Sequence, residues 1–340
     1  MKMKRSVNPE IQSKEGCLVS VIIPTKERLH LLRETLASLS QQTFMGWEAL
    51  IVDDVPNDQT KKLLATLTAG DSRFRYLPRT HQPPGASSCR NIGISQACGD
   101  YVVFLDSDDL LAPECLCGRL EVMYQGNWDY AVFLTQVFHL KPGDDSRLWN
   151  EFNPGDDLER FLALDMPWST TGPMWRREAL ERIGPWDESC ESAQDWEFHI
   201  RALALRLHYT KISSVDSFWR ESRPGSISDG WGETANLLNR SAMIGRVSGI
   251  LRQQGMMTSS RRRRLAVTCH KNAFVLCPDN RVALQIWNDA RRYRVVTGYE
   301  WLLLMVSEGL FRMVRKCHRR ALALMYPESA FRSTHLKVLK

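Results

Sequence analysis

Tyr101-Val102-Val103-Phe104-Leu105-Asp106-Ser107-Asp108-Asp109 is the stretch on which the reading of this 340-residue chain turns. Five apolar residues in succession, rich in β-branched and aromatic side chains, read as a strand buried on both faces. The strand then meets three carboxylates within four residues. Packing does not account for them, because an unpaired buried carboxylate is costly. In an open α/β sheet, ligands collect beyond the carboxyl ends of the strands. Hard oxygen donors at such an edge suit a divalent cation such as Mg²⁺ or Mn²⁺, usually shared with a phosphate. The competing reading is a solvated acidic turn opening a helix at Pro113, and Asp-x-Asp alone does not separate the two.

The residues before this stretch supply the context. Cys17 to Pro24 is Val- and Ile-rich and is stopped by Pro24, as expected of a buried strand with Thr25-Lys26-Glu27-Arg28 at its end. Leu29 to Ser40 carries apolar residues at 29, 32, 36 and 39, the spacing of an amphipathic helix. Ala49 to Val52 reads as a second strand ending in Asp53-Asp54. A helix is expected over Thr60 to Leu67, and a short strand over Phe74 to Leu77. Pro83-Pro84-Gly85 leads into a helix from Ala86 to Ala97, with Arg90 and Asn91 on its exposed side. Strands alternating with helices through short links predict an α/β fold with a mostly parallel open sheet covered by helices. Thr25/Glu27, Asp53/Asp54 and Asp106/Asp108 would then gather at one sheet edge. Three such clusters at corresponding strand ends point to a polar, cation-associated ligand.

Beyond Glu114 the pattern predicts a helix to about Gln125, a strand or strand pair over Tyr130 to Leu140, and a polar loop over Lys141 to Asp157. A strand-like run at Thr171 to Trp175 precedes a helix to Ile183. Asp195 to Leu207 is amphipathic, and Asp195 sits where the helix dipole favours a carboxylate. His208 to Trp219 reads as a further strand. From Thr234 onward the chain looks helical. The expected division is a flexible arm over 1–16, a ligand-binding α/β domain over 17–232, and a basic helical region over 233–340.

Hydrophobic and charged contents of 43% and 25% are ordinary for a globular protein. There is no run of 18 apolar residues that would span a membrane, and the polar N-terminus lacks a signal-peptide core. Nine scattered cysteines, with only Cys115 and Cys117 close together, favour free thiols in a reducing cytoplasm. The net charge of +6 is uneven. Residues 256–340 hold 17 Lys and Arg against 5 Asp and Glu, while the remainder of the chain is net acidic. Arg261 to Arg264 form an unbroken run. Trp301 to Tyr326 places basic residues beside aromatic and aliphatic ones, which suits a helix lying in a membrane interface or one packed with a solvated basic face.

Over about residues 17 to 228 the chain resembles the family 2 glycosyltransferases, inverting enzymes of the GT-A fold. The motifs occur in order: Val19-Ser20-Val21-Ile22-Ile23-Pro24-Thr25-Lys26, Leu50-Ile51-Val52-Asp53-Asp54, Gly85 with Arg90-Asn91-Ile92-Gly93, Phe104-Leu105-Asp106-Ser107-Asp108-Asp109, and Ser192-Ala193-Gln194-Asp195-Trp196. The resemblance implies a donor site built from Pro24, Thr25, Glu27, Asp53, Asp54, Gly85, Arg90, Asn91, Asp106 and Ser107. It implies Mg²⁺ or Mn²⁺ on Asp106 and Asp108, and Asp195 as catalytic base. It departs from the family at two places. Gln194 stands where Glu is common, and Arg223 stands where many members have a His before Pro-Gly-Ser. Arg cannot ligate a metal but can hold a diphosphate bidentately.

The implied activity is transfer of a sugar from a nucleotide-diphosphate donor, UDP by family expectation, to a saccharide or lipid-linked acceptor in surface polysaccharide assembly. The implied location is the cytoplasm, peripheral at the inner face of the membrane, with the C-terminal helices meeting an anionic lipid surface. A nucleotidyltransferase would need a Gly-rich loop after its first strand, and Pro24-Thr25-Lys26-Glu27 has no glycine. A non-enzymatic receiver domain would explain Asp53-Asp54 but not the other acids. A silent nucleotide-sugar binder, or a nucleic-acid-binding protein acting through its basic end, are the remaining alternatives.

Overall fold

The computed structural model describes residues 19–67, 69–221, 233–276 and 280–311. The expected arm at 1–16, Arg223 with its Pro-Gly-Ser neighbours, and the basic stretch from Arg312 onward lie outside the described residues. The chain divides into two compact units whose segments alternate along the sequence. The first comprises Met1–Asn153, Trp168–Glu188 and Leu207–Glu221; the second comprises Pro154–Pro167, Ser189–Arg206 and Ser222–Lys340.

The first unit holds one eight-stranded sheet of order β3-β2-β1-β4-β7-β6-β8-β5. β1 (Val19–Thr25), β2 (Trp47–Asp53), β3 (Phe74–Pro78) and β4 (Tyr101–Phe104) are parallel. Every residue of β1, β2 and β4 is buried, as their continuous apolar runs require of strands covered on both faces. α1 (Leu29–Ser40) lies against one face, with Leu32, Leu36 and Leu39 in the same cluster as Val19, Val21 and Ile23. α2 (Asp58–Leu67) and α3 (Ala86–Gln96) complete the alternation. Gly99 turns the chain into β4 where a side chain could not pass, since a Cβ there would sit 2.6 Å from the Ser20 backbone nitrogen.

Beyond β4 the sheet becomes mixed. β7 (Pro173–Arg176) runs antiparallel to both β4 and β6 (Tyr130–Phe138). β8 (Tyr209–Arg220) is parallel to β6, and the two-residue β5 (Leu110–Leu111) closes on β8. Tyr130 stacks between Trp175 and Tyr209, at centroid distances of 4.3 and 4.9 Å. α4 (Cys115–Gln125) carries both Cys115 and Cys117, each a buried free thiol. It also carries Arg119, fully buried, which donates to both oxygens of Asp216 at 2.7 Å. α6 (Arg177–Ile183) follows β7. The expected α/β class with a mostly parallel sheet is thus observed.

The second unit is helical: α5 (Asp157–Leu162), α7 (Gln194–Ala204), α8 (Thr234–Gln253), α9 (Ser259–His270), a π-helical segment (Lys271–Leu276), α10 (Asn280–Arg292) and α11 (Gly298–Phe311). α5 falls at the edge of a stretch expected to be loop. Asp156 caps it, accepting from the amides of Leu158 and Glu159. The arginine run opens α9, and three of its four members are tied to carboxylates. Arg261 pairs with Asp156 at 2.7 Å, Arg262 with Glu300 at 2.7 Å, and Arg264 with Glu159 at 2.9 Å. The run therefore fastens helices together, and of its four members only Arg263 is exposed. Among the described residues no helix is long and apolar enough to cross a membrane.

Candidate active site

The parallel register decides what meets at the sheet edge. Thr25 is level with Asp53, Asp53 with Pro78, and Ile22 with Phe104. The chain therefore leaves β1, β2 and β4 along one line, and Thr25, Asp53–Asp54 and Asp106 follow one another across adjacent strands. Pro24 is buried as the penultimate β1 residue. The Thr25 hydroxyl is buried and has no partner among the described residues. The Ser87 hydroxyl, in the first turn of α3, shares that condition. Buried hydroxyls are normally satisfied, so both suit a polar ligand at this edge.

The two β2 acids have different jobs. Asp53 accepts from the Tyr76 hydroxyl at 3.1 Å and from the Val55 amide at 3.2 Å. Burial raises its pKa, against the lowering effect of those hydrogen bonds. Burial and the Asp53 charge push Tyr76 up to about 12, which keeps it a donor. Asp54 is an anchor. Its Oδ1 accepts from Arg79 Nε and from the Gly85 amide, each at 2.7 Å, and so fixes the link between β3 and α3. Gly85 precedes α3 at φ +130°, a backbone that side chains rarely allow.

Arg90 is buried, not on an exposed helix face as its spacing suggested. Its guanidinium donates to Asp106 Oδ1 at 2.7 Å and lies 4.5 Å above the Trp186 ring. Asn91 holds that ring in place. Its side-chain nitrogen donates to the Trp186 carbonyl at 2.9 Å and to Glu188 at 2.8 Å, and its oxygen accepts from the Trp186 amide at 2.8 Å. Asn91 is therefore a positioning residue whose amide is engaged by the protein itself. Neither Trp186 nor Glu188 carried a readable signal, because they lie 95 and 97 residues away.

The three acids after β4 also separate. Asp106 and Asp108 are partly exposed, with Ser107 half-buried between them. Arg28 donates to Asp108 Oδ2 at 3.1 Å. Glu27, just before Arg28, adopts a left-handed backbone, φ +56°, and its side chain is exposed. Burial, reinforced by the Asp106 charge, raises the Asp108 pKa; Arg28 and Arg220 oppose the shift. Asp109 is wholly buried. It accepts from the Thr171 hydroxyl at 3.0 Å and the Arg220 amide at 3.1 Å, and its pKa is pushed well above the ordinary range by burial and by its two neighbours. It buckles the turn to the far half of the sheet and is no candidate ligand. Arg220, missed in the sequence, reinforces the turn by donating to the Asp108 carbonyl at 2.9 Å and to Glu34 at 2.6 Å.

Asp106 and Asp108 fit a hard divalent cation. Both are all-oxygen donors, each is tied to an arginine through one oxygen, and their mutual repulsion is what a cation would relieve. Another group, His139, Asp145 and Glu221, has potential ligand atoms within 4.8 Å of one another. Arg147 occupies it, bridging Asp145 and Glu221, so a guanidinium already supplies the positive charge.

Asp195 belongs to the second unit. It is half-buried in the first turn of α7, and its Oδ1 accepts from the Trp196 amide at 2.9 Å. The Trp196 indole donates to the Phe161 carbonyl at 2.6 Å and fixes the start of the helix. Gln194 donates to the Cys190 carbonyl at 3.0 Å, a bond that a Glu could make only when protonated.

Residues 20–184 match the family model described as "Glycosyl transferase family 2". The chain carries a family 2 glycosyltransferase domain. The matched segment contains every strand-end residue above, and Asp195 lies beyond it. GalNAc(5)-diNAcBac-PP-undecaprenol beta-1,3-glucosyltransferase of Campylobacter jejuni is 34% identical over 143 residues, covering 42% of this chain and 44% of that protein. The chain thus spans less than half the length of this curated relative. Among solved structures, Staphylococcus aureus TarS bound to UDP-GlcNAc superposes with a TM-score of 0.65 at 19% identity, covering 82% of each chain. The mannosyltransferase PcManGT of Pyrobaculum calidifontis, with GDP-Man and Mn²⁺, gives 0.53 at 16% identity, covering 92% of this chain and 87% of that one. At those identities the likeness concerns the fold, which is of the GT-A type.

Proposed function

We propose that this chain is an inverting glycosyltransferase that moves a sugar from a UDP-linked donor to a hydroxyl of a lipid-linked saccharide. The observation that carries the reading is the shared strand-end line of Thr25, Asp53 and Asp106, with Asp108 beside it, inside the family 2 segment. The lipid-linked acceptor comes from the name of the Campylobacter relative, and the UDP donor from family expectation and the ligand of TarS.

Asp53 and the free Thr25 hydroxyl face the nucleoside end of the donor. Arg90 and Arg28 balance the charges of Asp106 and Asp108, so the four side chains are together neutral. A sugar nucleotide carries two negative charges and a divalent cation two positive ones, so the pair enters the site without net charge. Without the cation, the two diphosphate charges would enter a site whose own charges already cancel and would be left uncompensated. Mg²⁺ or Mn²⁺, held by Asp106 and Asp108, would supply Lewis-acid stabilisation of the departing diphosphate.

Asp195 is assigned the general base. The acceptor oxygen attacks the anomeric carbon from the face opposite the diphosphate, and its proton passes to the Asp195 carboxylate. The bond between the anomeric carbon and the diphosphate oxygen breaks, and its electron pair leaves with that oxygen. Such a base contributes roughly 10² to 10⁴-fold. The test is nucleotide release from a panel of UDP-, GDP- and dTDP-sugars, with and without Mn²⁺ and a prenyl-diphosphate-linked saccharide. Release that needs a donor, a metal and an acceptor together supports the reading. Absence of release from every donor with metal and acceptor present refutes it.

A further inference from the structure

α11 carries a stripe of apolar side chains that its own unit leaves uncovered. Tyr299, Leu302 and Val306 follow at spacings of three and four, one face of a helix, and are 71%, 54% and 52% exposed. The opposite face is fixed. Leu304 is fully enclosed there, and Glu300 accepts two bonds from Arg262 at 2.7 and 3.0 Å. A buried leucine and a bidentate ion pair therefore set the rotation of the helix and turn the stripe outward. Single exposed apolar residues need no explanation, but three in a row on one helix face mark a surface with a partner.

α10 extends this surface. The Trp301 indole donates to Asn288 at 3.2 Å, and the Arg291 guanidinium lies 4.8 Å from the Trp301 ring. Leu284, one turn before Asn288 on the same face, is exposed. Arg291 and Arg292 are exposed as well, and no described carboxylate pairs with either. Arg261, Arg262 and Arg264, by contrast, are neutralised inside the unit. Unpaired positive charge thus accompanies the apolar stripe.

We propose that the α10–α11 face docks on an anionic lipid bilayer. Tyr299, Leu302 and Val306 enter the headgroup boundary, Trp301 lies at its level, and Arg291 and Arg292 meet lipid phosphates. A convex helix face has no groove for a peptide, and its mixture of aliphatic, aromatic and arginine side chains matches the bilayer interface. The choice of a bilayer over an acidic protein rests on the lipid-linked acceptor proposed above.

The test is flotation of the full chain with vesicles of phosphatidylcholine alone and of equal parts phosphatidylcholine and phosphatidylglycerol. Binding is expected to the second kind only. The triple variant Tyr299→Ser, Leu302→Ser, Val306→Ser loses at least about tenfold in partition, given the apolar area removed. The double variant Arg291→Glu, Arg292→Glu loses at least about tenfold through charge. All five side chains are exposed, so far-UV circular dichroism of both variants stays native. Hydroxyl-radical labelling of Tyr299 is strong without vesicles and falls with them.

Failure to bind anionic vesicles, or undiminished binding by both variants, overturns the proposal. Protection of Tyr299 without lipid also overturns it, by placing another part of the chain or a second copy on the stripe. Flotation reads no sugar transfer. A chain that binds vesicles but releases no nucleotide refutes the catalytic reading alone, and a chain that turns over without binding refutes the docking surface alone.

Discussion

Removing the Arg90 guanidinium tests the core of the site. Arg90 and Asp106 are 2.7 Å apart, a gross attraction of about 6 kcal/mol at an effective dielectric near 20. Most of that is cancelled, because Arg90 is desolvated and the Asp106 side chain is 37% exposed to screening water; about 1–2 kcal/mol remains. The stack on Trp186 adds about 1 kcal/mol. Arg90→Met should therefore destabilise the chain by about 2–3 kcal/mol. Arg90→Lys, which keeps the charge and loses the flat stack, should destabilise by about 1 kcal/mol. The assay is urea unfolding of Arg90→Met, Asp106→Asn and the double variant. The double-mutant cycle should return a coupling of about 1–2 kcal/mol. A coupling below about 0.3 kcal/mol would mean that the pair does not persist in solution. Asp106 would then not be held ready by Arg90, and the account of a charge-balanced site would fail.

Asp108→Asn should abolish metal-stimulated nucleotide release, and a chelator should do the same to the unmodified chain until Mg²⁺ or Mn²⁺ is restored; unchanged release in either case removes the cation from the reaction. Because the Asp108 pKa is raised above 3.8, protons should compete with the metal at milder acidity than for an ordinary carboxylate, so the metal midpoint in a Mn²⁺ titration should rise as pH falls. Asp195→Asn should abolish transfer while donor binding, read by calorimetry, survives; normal turnover would remove Asp195 as base. Asp109 keeps a proton in the folded chain that the unfolded chain releases above 3.8, so its contribution to stability declines as pH rises from there toward the folded value. Asp109→Asn should make that decline shallower above pH 3.8 in urea unfolding; an unchanged slope would show that Asp109 is ionised when folded.

The strands and helices of the first half were legible because each covers a single surface with one period. α1 has the bounds that its apolar spacing predicted, and β1 to β4 differ from expectation by a residue or two at their ends. Two elements escaped. β5 is two residues long and exists only through its pairing with β8, and α5 is held by the Asp156 cap and by arginines about a hundred residues later. In the site, the acids were legible and their partners were not. Arg28, Trp186 and Arg220 lie 80 to 112 residues from the groups they hold, beyond any local pattern.

The order of residues alone settled that buried strands end in acids and alternate with amphipathic helices, since burial on both faces and on one face leave different periods in a chain. It also offered Asp106 and Asp108 as the side chains to carry a cation. Folding decided which of those acids remain available. Asp106 and Asp108 stay partly in water beside arginines, while Asp54 and Asp109 are drawn inward as anchors, although all four are the same residue type. Whether a carboxylate serves as ligand or as buckle depends on the solvent and the donors around it, and those neighbours are supplied by distant parts of the chain.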